Sequence, residues 1–286
     1  ARAFGAYMDI LAGAFLGVLA WAALRRWVVK PHRLAFDLTR NLDSVLIICL
    51  TALLMVLTLL TEAVYVAAGA DKVGPSAPLG SALGEVLRGV GLGQGAAQGL
   101  HGLFWWLHLG VILGFGIYIP LSKHMHLIAS PLSFVFRTLE PMGTLSTPSD
   151  LETAESFGAA RVQEFTWKEL LDGYACAVCG RCTDVCPANL TGKILSPMHI
   201  VENLKAHMLE IGHQGPRNPD HVEPKTIIDN AIPEQAIWDC VSCGACMEEC
   251  PVVVEHVPTI IDLRRNLVLE ESRIPETGMN ALLSME

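Results

Sequence analysis

Eight of the nine cysteines fall into two copies of one string, Cys176-x2-Cys179-x2-Cys182-x3-Cys186-Pro187 and Cys240-x2-Cys243-x2-Cys246-x3-Cys250-Pro251. Three thiolates two residues apart can wrap three irons of a cubane, while the fourth, three residues on and stiffened by proline, points away and serves the other cluster. The spacing therefore assigns Cys176, Cys179, Cys182 and Cys250 to one [4Fe-4S] cluster and Cys240, Cys243, Cys246 and Cys186 to a second. A structural zinc ion needs one tetrahedral set of four ligands, which two identical quartets fit poorly. A disulfide framework conflicts with the reducing compartment inferred below. Gly180 and Gly244 follow the second cysteine of each quartet, where a residue without Cβ lets the chain turn closely around an inorganic core.

The elements that must carry these quartets divide the chain. Hydrophobic residues make up 51% of the sequence and the mean hydropathy is +0.41, with the excess before residue 127. Residues 1–126 carry a net charge of +3 and residues 127–286 one of −12. So acidic a tail excludes nucleic acid as a partner, since nothing offsets phosphate repulsion, and suits a basic patch on a redox protein. Three segments, about 4–27, 44–68 and 99–122, are long and apolar enough to cross a bilayer. Arg25, Arg26, Lys30, Arg33 and Arg40 crowd the first connection, and Lys123 and Arg137 follow the third span. The second connection offers only Lys72 and Arg88. The positive-inside rule then puts both quartets in the cytoplasm and Ala1 outside. With no basic region before its first apolar run, the sequence is not read as opening on a signal peptide and is expected to continue upstream of Ala1.

The expected fold is all-α: a transmembrane helix bundle over 1–126, an interfacial linker over 127–145, and a helical dicluster ferredoxin domain over 146–286. The connection 70–98 reads as an external loop with a short surface helix near 80–90 and no chemistry. Apolar periodicity predicts a helix over 194–211.

His108 and His126 are 18 residues apart, five turns of an ideal helix, which places them on one face about 27 Å apart. Two imidazoles on one face at different depths suit the axial positions of two stacked haems. His124 is off that face, and His101 reads as interfacial. Against haem ligation stand the interfacial roles common for histidine near helix ends, and the lack of histidine in the first two spans to complete each iron. Asp9 and Glu62 are intramembrane acids. They read either as a proton relay at a quinone site or as side chains reaching the headgroups. Cys49 reads as a packing residue, and Trp238 as core or as a shield for a cluster.

Leu24-Arg25-Arg26-Trp27 through Pro31, Asp43-Ser44-Val45-Leu46-Ile47, and Pro120-Leu121-Ser122-Lys123 leading to His126 and Ser130-Pro131 resemble the third to fifth helices of the respiratory nitrate reductase gamma subunit, a dihaem b quinol oxidase subunit. The resemblance implies that His108 and His126 ligate haem b and that the partner histidines precede Ala1. The tail resembles the heterodisulfide reductase and glycerol-3-phosphate dehydrogenase C-subunit group, whose pattern matches all eight cysteines. The two parts together resemble membrane-bound iron-sulfur oxidoreductases proposed to pass electrons from electron-transfer flavoprotein to quinone. The resemblance implies a protein of the prokaryotic cytoplasmic membrane whose soluble partner is that flavoprotein or another cytoplasmic redox protein, and whose pool is menaquinone or ubiquinone. The Cys-Cys-Gly motifs of that family do not occur in this sequence. The other reading is a haem-free anchor carrying a dicluster ferredoxin for a soluble heterodisulfide-reductase-like enzyme.

Overall fold

The computed structural model describes residues 2–31, 38–69, 77–141, 143–145, 156–214 and 226–285. Arg33, Lys72, the side chain of Arg40 and the expected boundary at Ser146 lie outside them. The chain forms two compact units, Ala1–Ser122 and Lys123–Glu286. Among the described residues every regular element is helical, and β-structure is limited to one isolated bridge between Ile228 and Ile232.

The first unit contains α1 (Arg2–Leu24), α2 (Leu38–Ala67), α3 (Pro78–Gly89) and α4 (Gln94–Leu121). Three helices, Ala3–Val29, Leu42–Ala67 and Gln94–Leu121, are long and apolar enough to cross a membrane. The first of these joins α1 to a π-helical turn, Arg25–Val29, closed by Lys30 at φ 48°. Large apolar side chains such as Trp21, Leu53, Trp106 and Ile117 are exposed along all three, as expected where lipid rather than water is the solvent. Helices suit that solvent because they satisfy their backbone polar groups internally. The hydroxyls of Thr58 and Thr61 do likewise, donating to the carbonyls of Leu54 and Leu57 at 2.9 and 2.6 Å.

Helix α2 packs against α1, α3 and α4. Helix α3 is the short helix expected near 80–90, but it does not lie loosely on the surface. Gly80 and Gly84 are buried. A Cβ on Gly84 would meet the Ala63 carbonyl oxygen at 2.7 Å and Val66 Cβ at 2.8 Å. Small residues four apart let two helix backbones approach closely, the usual device for packing helices in lipid.

The second unit opens with a 3-10 turn, Lys123–Met125, and α5 (His126–Val135), followed by α6 (Trp167–Ala175). The segment expected as an interfacial linker, 127–145, contains α5, which packs on α6. Ala129 and Ser133 face inward while Leu127, Ile128, Leu132, Phe134 and Val135 are exposed. Thr166 opens α6 with a capping box. Its hydroxyl accepts from Glu169 N–H, and Glu169 accepts from Thr166 N–H, an arrangement that satisfies two of the free donors at a helix start. Asp172, 2% exposed, holds three segments together. It accepts from Ser133 Oγ of α5 at 2.8 Å, Lys168 Nζ at 2.6 Å and the backbone N–H of Glu255 at 2.9 Å.

Short helices α7 (Arg181–Asp184) and α8 (Pro187–Leu190) precede α9 (Pro197–Gln214), the helix expected over 194–211. It starts later than expected because Pro197 takes its first turn, where a missing N–H costs nothing. Then follow α10 (Glu234–Trp238), α11 (Ala245–Glu248), α12 (His256–Arg265), continued by a π turn Asn266–Glu270, and α13 (Glu276–Leu283). The core joins Leu195, Ile200 and Leu204 to Ile227, Ile232, Ile237, Ile260, Leu263 and Leu267.

Gly84→Leu forces the α3 and α2 backbones apart, at a cost of about 1–3 kcal/mol typical of overpacking. The variant in detergent or lipid nanodiscs is expected to be cut by protease in the 70–98 connection under conditions that spare the wild type.

Candidate functional site

The two quartets adopt the same backbone course. Cys176 caps the C-terminus of α6, donating its N–H to Asp172 O. Cys240 likewise follows the end of α10. Between the first and second cysteine of each loop stands a left-handed residue, Val178 at φ 51° and Ser242 at φ 52°. Gly180 (φ 77°) and Gly244 (φ 75°) then start α7 and α11, which bury Cys182 and Cys246. The left-handed region is costly for a β-branched residue. Its recurrence at Val178 and Ser242 marks a loop shaped by what it must hold. Sulfur also accepts backbone donors: Ser242 N–H bonds to Cys240 Sγ and Val254 N–H to Cys250 Sγ, each at 3.3 Å.

The thiols gather across the two quartets. Cys176 lies within electrostatic reach of Cys250 and Cys179, and Cys182 of Cys176, Cys250 and Cys179, with Cys246 a weaker neighbour. Cys246 is reached by Cys240, Cys186 and Cys243. Cys186, Cys240, Cys243 and Cys246 also line one small pocket, together with Leu195, Val257 and Ile260. Apart from the Cys182–Cys246 proximity, each neighbourhood contains three cysteines of one quartet and the last cysteine of the other. Burial, with the neighbouring thiols adding to it, pushes Cys176, Cys182 and Cys246 up to about 12. A low-dielectric pocket of four thiols suits a positively charged iron core that binds thiolate, and such binding releases protons. Among the described residues no three His, Cys, Asp or Glu side chains converge on a single-ion site. A cubane instead presents irons at separate corners, so the donor set fits a cluster better than a zinc ion.

Each first cysteine is preceded two residues earlier by an aromatic ring bearing a cation. Lys205 Nζ is 4.9 Å from the Tyr174 ring centre and the Arg264 guanidinium 5.4 Å from that of Trp238. Trp238 packs on the core and donates from Nε1 to Glu234 at 3.0 Å. Nothing local in the sequence marks Lys205, Arg264 or Asp172, because each acts across the fold.

The histidines are arranged differently from the expectation. Helix α4 ends at Leu121, and Ser122 is extended at φ −114°, ψ 175°. His126 begins α5 in the second unit, so the helical arithmetic that put His108 and His126 on one face does not carry across the break. His108 Nδ1 is buried without a hydrogen-bond partner. His126 Nδ1 is 2.8 Å from Lys123 O, which leaves Nε2 as the free ring nitrogen. His101 Nδ1 lies 3.2 Å from Thr61 O, and its ring stacks obliquely near Tyr65. Cys49 is exposed on α2.

Asp9 is fully buried. It accepts the backbone N–H groups of Leu79 at 2.5 Å and Gly80 at 3.1 Å, the free donors at the start of α3, where an anion is favoured. A Cβ on Gly80 would lie 3.0 Å from Glu62 Oε2 and 3.6 Å from Asp9 Oδ1, so both carboxyls border one spot under α3. Glu62 Oε2 is buried and has no hydrogen-bond partner. Asp9 is thus enclosed, and the partly buried Glu62 turns one oxygen toward the same spot.

Residues 168–251 match the 4Fe-4S dicluster domain family, which covers the first quartet, the second quartet and everything between them. The chain is 35% identical over 99% of its length to the probable iron-sulfur-binding oxidoreductase FadF of Bacillus subtilis, spanning 44% of that protein. It is 35% identical over 65% of its length to the EtfAB:quinone oxidoreductase of Syntrophomonas wolfei, spanning 29% of it. A probable membrane-anchored ferredoxin of Chromohalobacter salexigens is 35% identical over 46% of the chain and spanned to 22%. The chain thus covers less than half the length of each of these relatives. No solved structure matches it.

Burial holds the His256 imidazole, just beyond the second quartet, down at about 4, against an ordinary value of about 6.5. A lowered value means that the folded protein favours the neutral ring. Its contribution is complete above pH 6.5 and is lost as pH falls toward 4. At pH 5 the loss is about 2 kcal/mol. Guanidinium unfolding at pH 7 and pH 5 is expected to show a smaller drop in midpoint for His256→Leu than for the wild type.

Proposed function

We propose that this chain is the membrane-anchored electron-transfer part of an oxidoreductase, passing electrons between a cytoplasmic redox protein and membrane quinone. The observation that carries the reading is the sorting of eight thiols into two mixed sets of four. Cys176, Cys179, Cys182 and Cys250 hold one cubane, and Cys240, Cys243, Cys246 and Cys186 the other. When bound, each cluster supplies a one-electron relay. The chain's own residues bury Cys182, Cys186 and Cys246, fix the loops through left-handed turns, and donate N–H groups to sulfur, all of which tune a cluster's potential. The EtfAB:quinone oxidoreductase relative supports electron-transfer flavoprotein as the soluble partner and menaquinone or ubiquinone as the pool.

His108 of the first unit and His126 of the second would each hold a b-type haem. The buried, unpartnered Nδ1 of His108 and the free Nε2 of His126 support this, as does the likeness to the dihaem gamma subunit of nitrate reductase. Asp9 and Glu62 form the proton relay for quinone. Asp9 spends its oxygens as acceptors from α3, so the pair's mobile proton sits on Glu62. With the quartets in the cytoplasm, the chain is a multi-pass protein of the prokaryotic cytoplasmic membrane.

A second reading is favoured by the break between Leu121 and His126, which removes the shared helix face, and by the likeness to a membrane-anchored ferredoxin. In it the first unit is a haem-free anchor for a soluble heterodisulfide-reductase-like enzyme. Optical and EPR spectra of full-length protein, reduced with a menaquinol analogue and separately with dithionite, divide the two. Split b-haem bands appearing with quinol support the wire through haem, and clusters without haem bands support the anchor.

Two substitution series test the site itself. Cys250→Ser is expected to alter the same EPR signal as Cys182→Ser, and Cys186→Ser the same signal as Cys246→Ser, each leaving the other cluster intact. Pairing by quartet instead would refute the crossed ligand sets. Glu62→Gln is expected to lower quinone reductase turnover by about 100-fold or more, the scale of lost acid-base catalysis, with both cluster signals unchanged. Wild-type turnover would remove Glu62 from the reaction.

A further inference from the structure

Helix α12 brings Arg264 from 24 residues beyond Cys240 to the loop that leads into the second quartet. Its Nε and Nη2 donate to the Ile237 carbonyl at 3.1 and 2.8 Å, and Nη2 also reaches the Trp238 carbonyl at 3.3 Å. The same Nη2 donates to the carbonyl of Cys240, and Nη1 lies 3.4 Å from Ser242 Oγ. The guanidinium plane also rests on the Trp238 ring. These carbonyls belong to the end of α10 and the first ligand, where a helix leaves its last acceptors unsatisfied. One rigid fork of five donors can collect them all, which a lysine ammonium cannot do with the same geometry.

The first quartet lacks this device. There the carbonyl before the first cysteine, that of Ala175, accepts a neutral hydroxyl from Ser130 at 2.9 Å. Lys205 stacks on Tyr174, and no hydrogen bond ties it to that loop. The two loops share a backbone course but are held by different chemistry. The Arg264 charge also lies close enough to Cys240 to act on its thiol.

We propose that Arg264 is the positioning residue of the second cluster. It fixes the carbonyls of 237–240 so that Cys240 and Cys243 face one cubane, and its charge raises that cluster's reduction potential by favouring the more negative reduced state. The proposal rests on the reading that Cys240, Cys243, Cys246 and Cys186 hold a cluster.

Full-length Arg264→Gln and Arg264→Lys proteins are compared with wild type in EPR-monitored redox titrations. The same proteins are compared in the rate at which a ferrous-iron chelator removes each cluster signal. Arg264→Gln is expected to move the second cluster to more negative potential while the first stays in place, and to speed loss of the second signal roughly tenfold or more, the scale of a lost charged hydrogen bond. Arg264→Lys is expected to retain most of the potential but lose the second signal as fast as Arg264→Gln. A role in stability alone lowers the melting temperature without separating the two potentials. Wild-type potentials and loss rates in both variants would overturn the proposal. If Arg264→Gln does not fold, wild-type retention of the second signal in Arg264→Lys overturns the positioning role by itself. Failure of the underlying reading shows separately, as a second EPR signal left unchanged by Cys240→Ser in a protein that keeps Arg264.

Discussion

Eight thiols must be brought into two pockets from quartets 64 residues apart in sequence, and the rest of the second unit follows from that demand. Each pocket draws its last cysteine from the other quartet, so neither loop is complete until both are in place. The intervening helix α9 and the Ile227–Ile237 segment are core elements because they close that long connection. Burial makes Cys176, Cys182, Cys246 and Cys250 poor thiolates on their own, so these positions favour neutral thiols until a cationic core arrives. Folding of this region and loading of its clusters are therefore linked through the same desolvation that keeps the pockets dry.

Similar economy governs Asp172. A carboxylate 2% exposed is tolerable only because α5, α6 and the segment after the second quartet all donate to it. Asp172 also lies close enough to Cys250 to influence its thiol. The contact that attaches α5 to the ferredoxin fold is thus the contact beside the first thiol set. Helix α5 contributes Ser130 and Ser133 to this arrangement while its other face exposes Leu127, Ile128, Leu132, Phe134 and Val135, giving the second unit an apolar surface of its own.

In the first unit the comparable device is α3. Its glycine face lets it sit on α2, and its N-terminal donors end on Asp9. An acid that composition marks only as expensive becomes the anchor of a connection that otherwise reads as a featureless loop. Glu62 shares the spot, with one buried oxygen, Oε2, that no hydrogen bond reaches. The two acids, equivalent in sequence, acquire different surroundings: each Asp9 oxygen accepts a backbone N–H of α3, while Glu62 Oε2 accepts none.

The cysteine strings, the three apolar helices and the all-helical character of the chain are legible in the sequence because they depend on local spacing. Ligand bite, hydrophobic length and the absence of alternating strand patterns act over a few residues or turns. Extrapolation failed where one local rule was carried past its limit. A single helix from His108 to His126 assumes that nothing interrupts it, and the extended backbone at Ser122 does. Arg264, Lys205 and Asp172 carry no local signature, because what they do is decided by which carbonyls, rings and amides arrive beside them. The sequence by itself determined which atoms can bind iron and which segments can enter a membrane; tertiary structure alone decided which buried polar groups find partners, because that depends on distances between residues far apart along the chain.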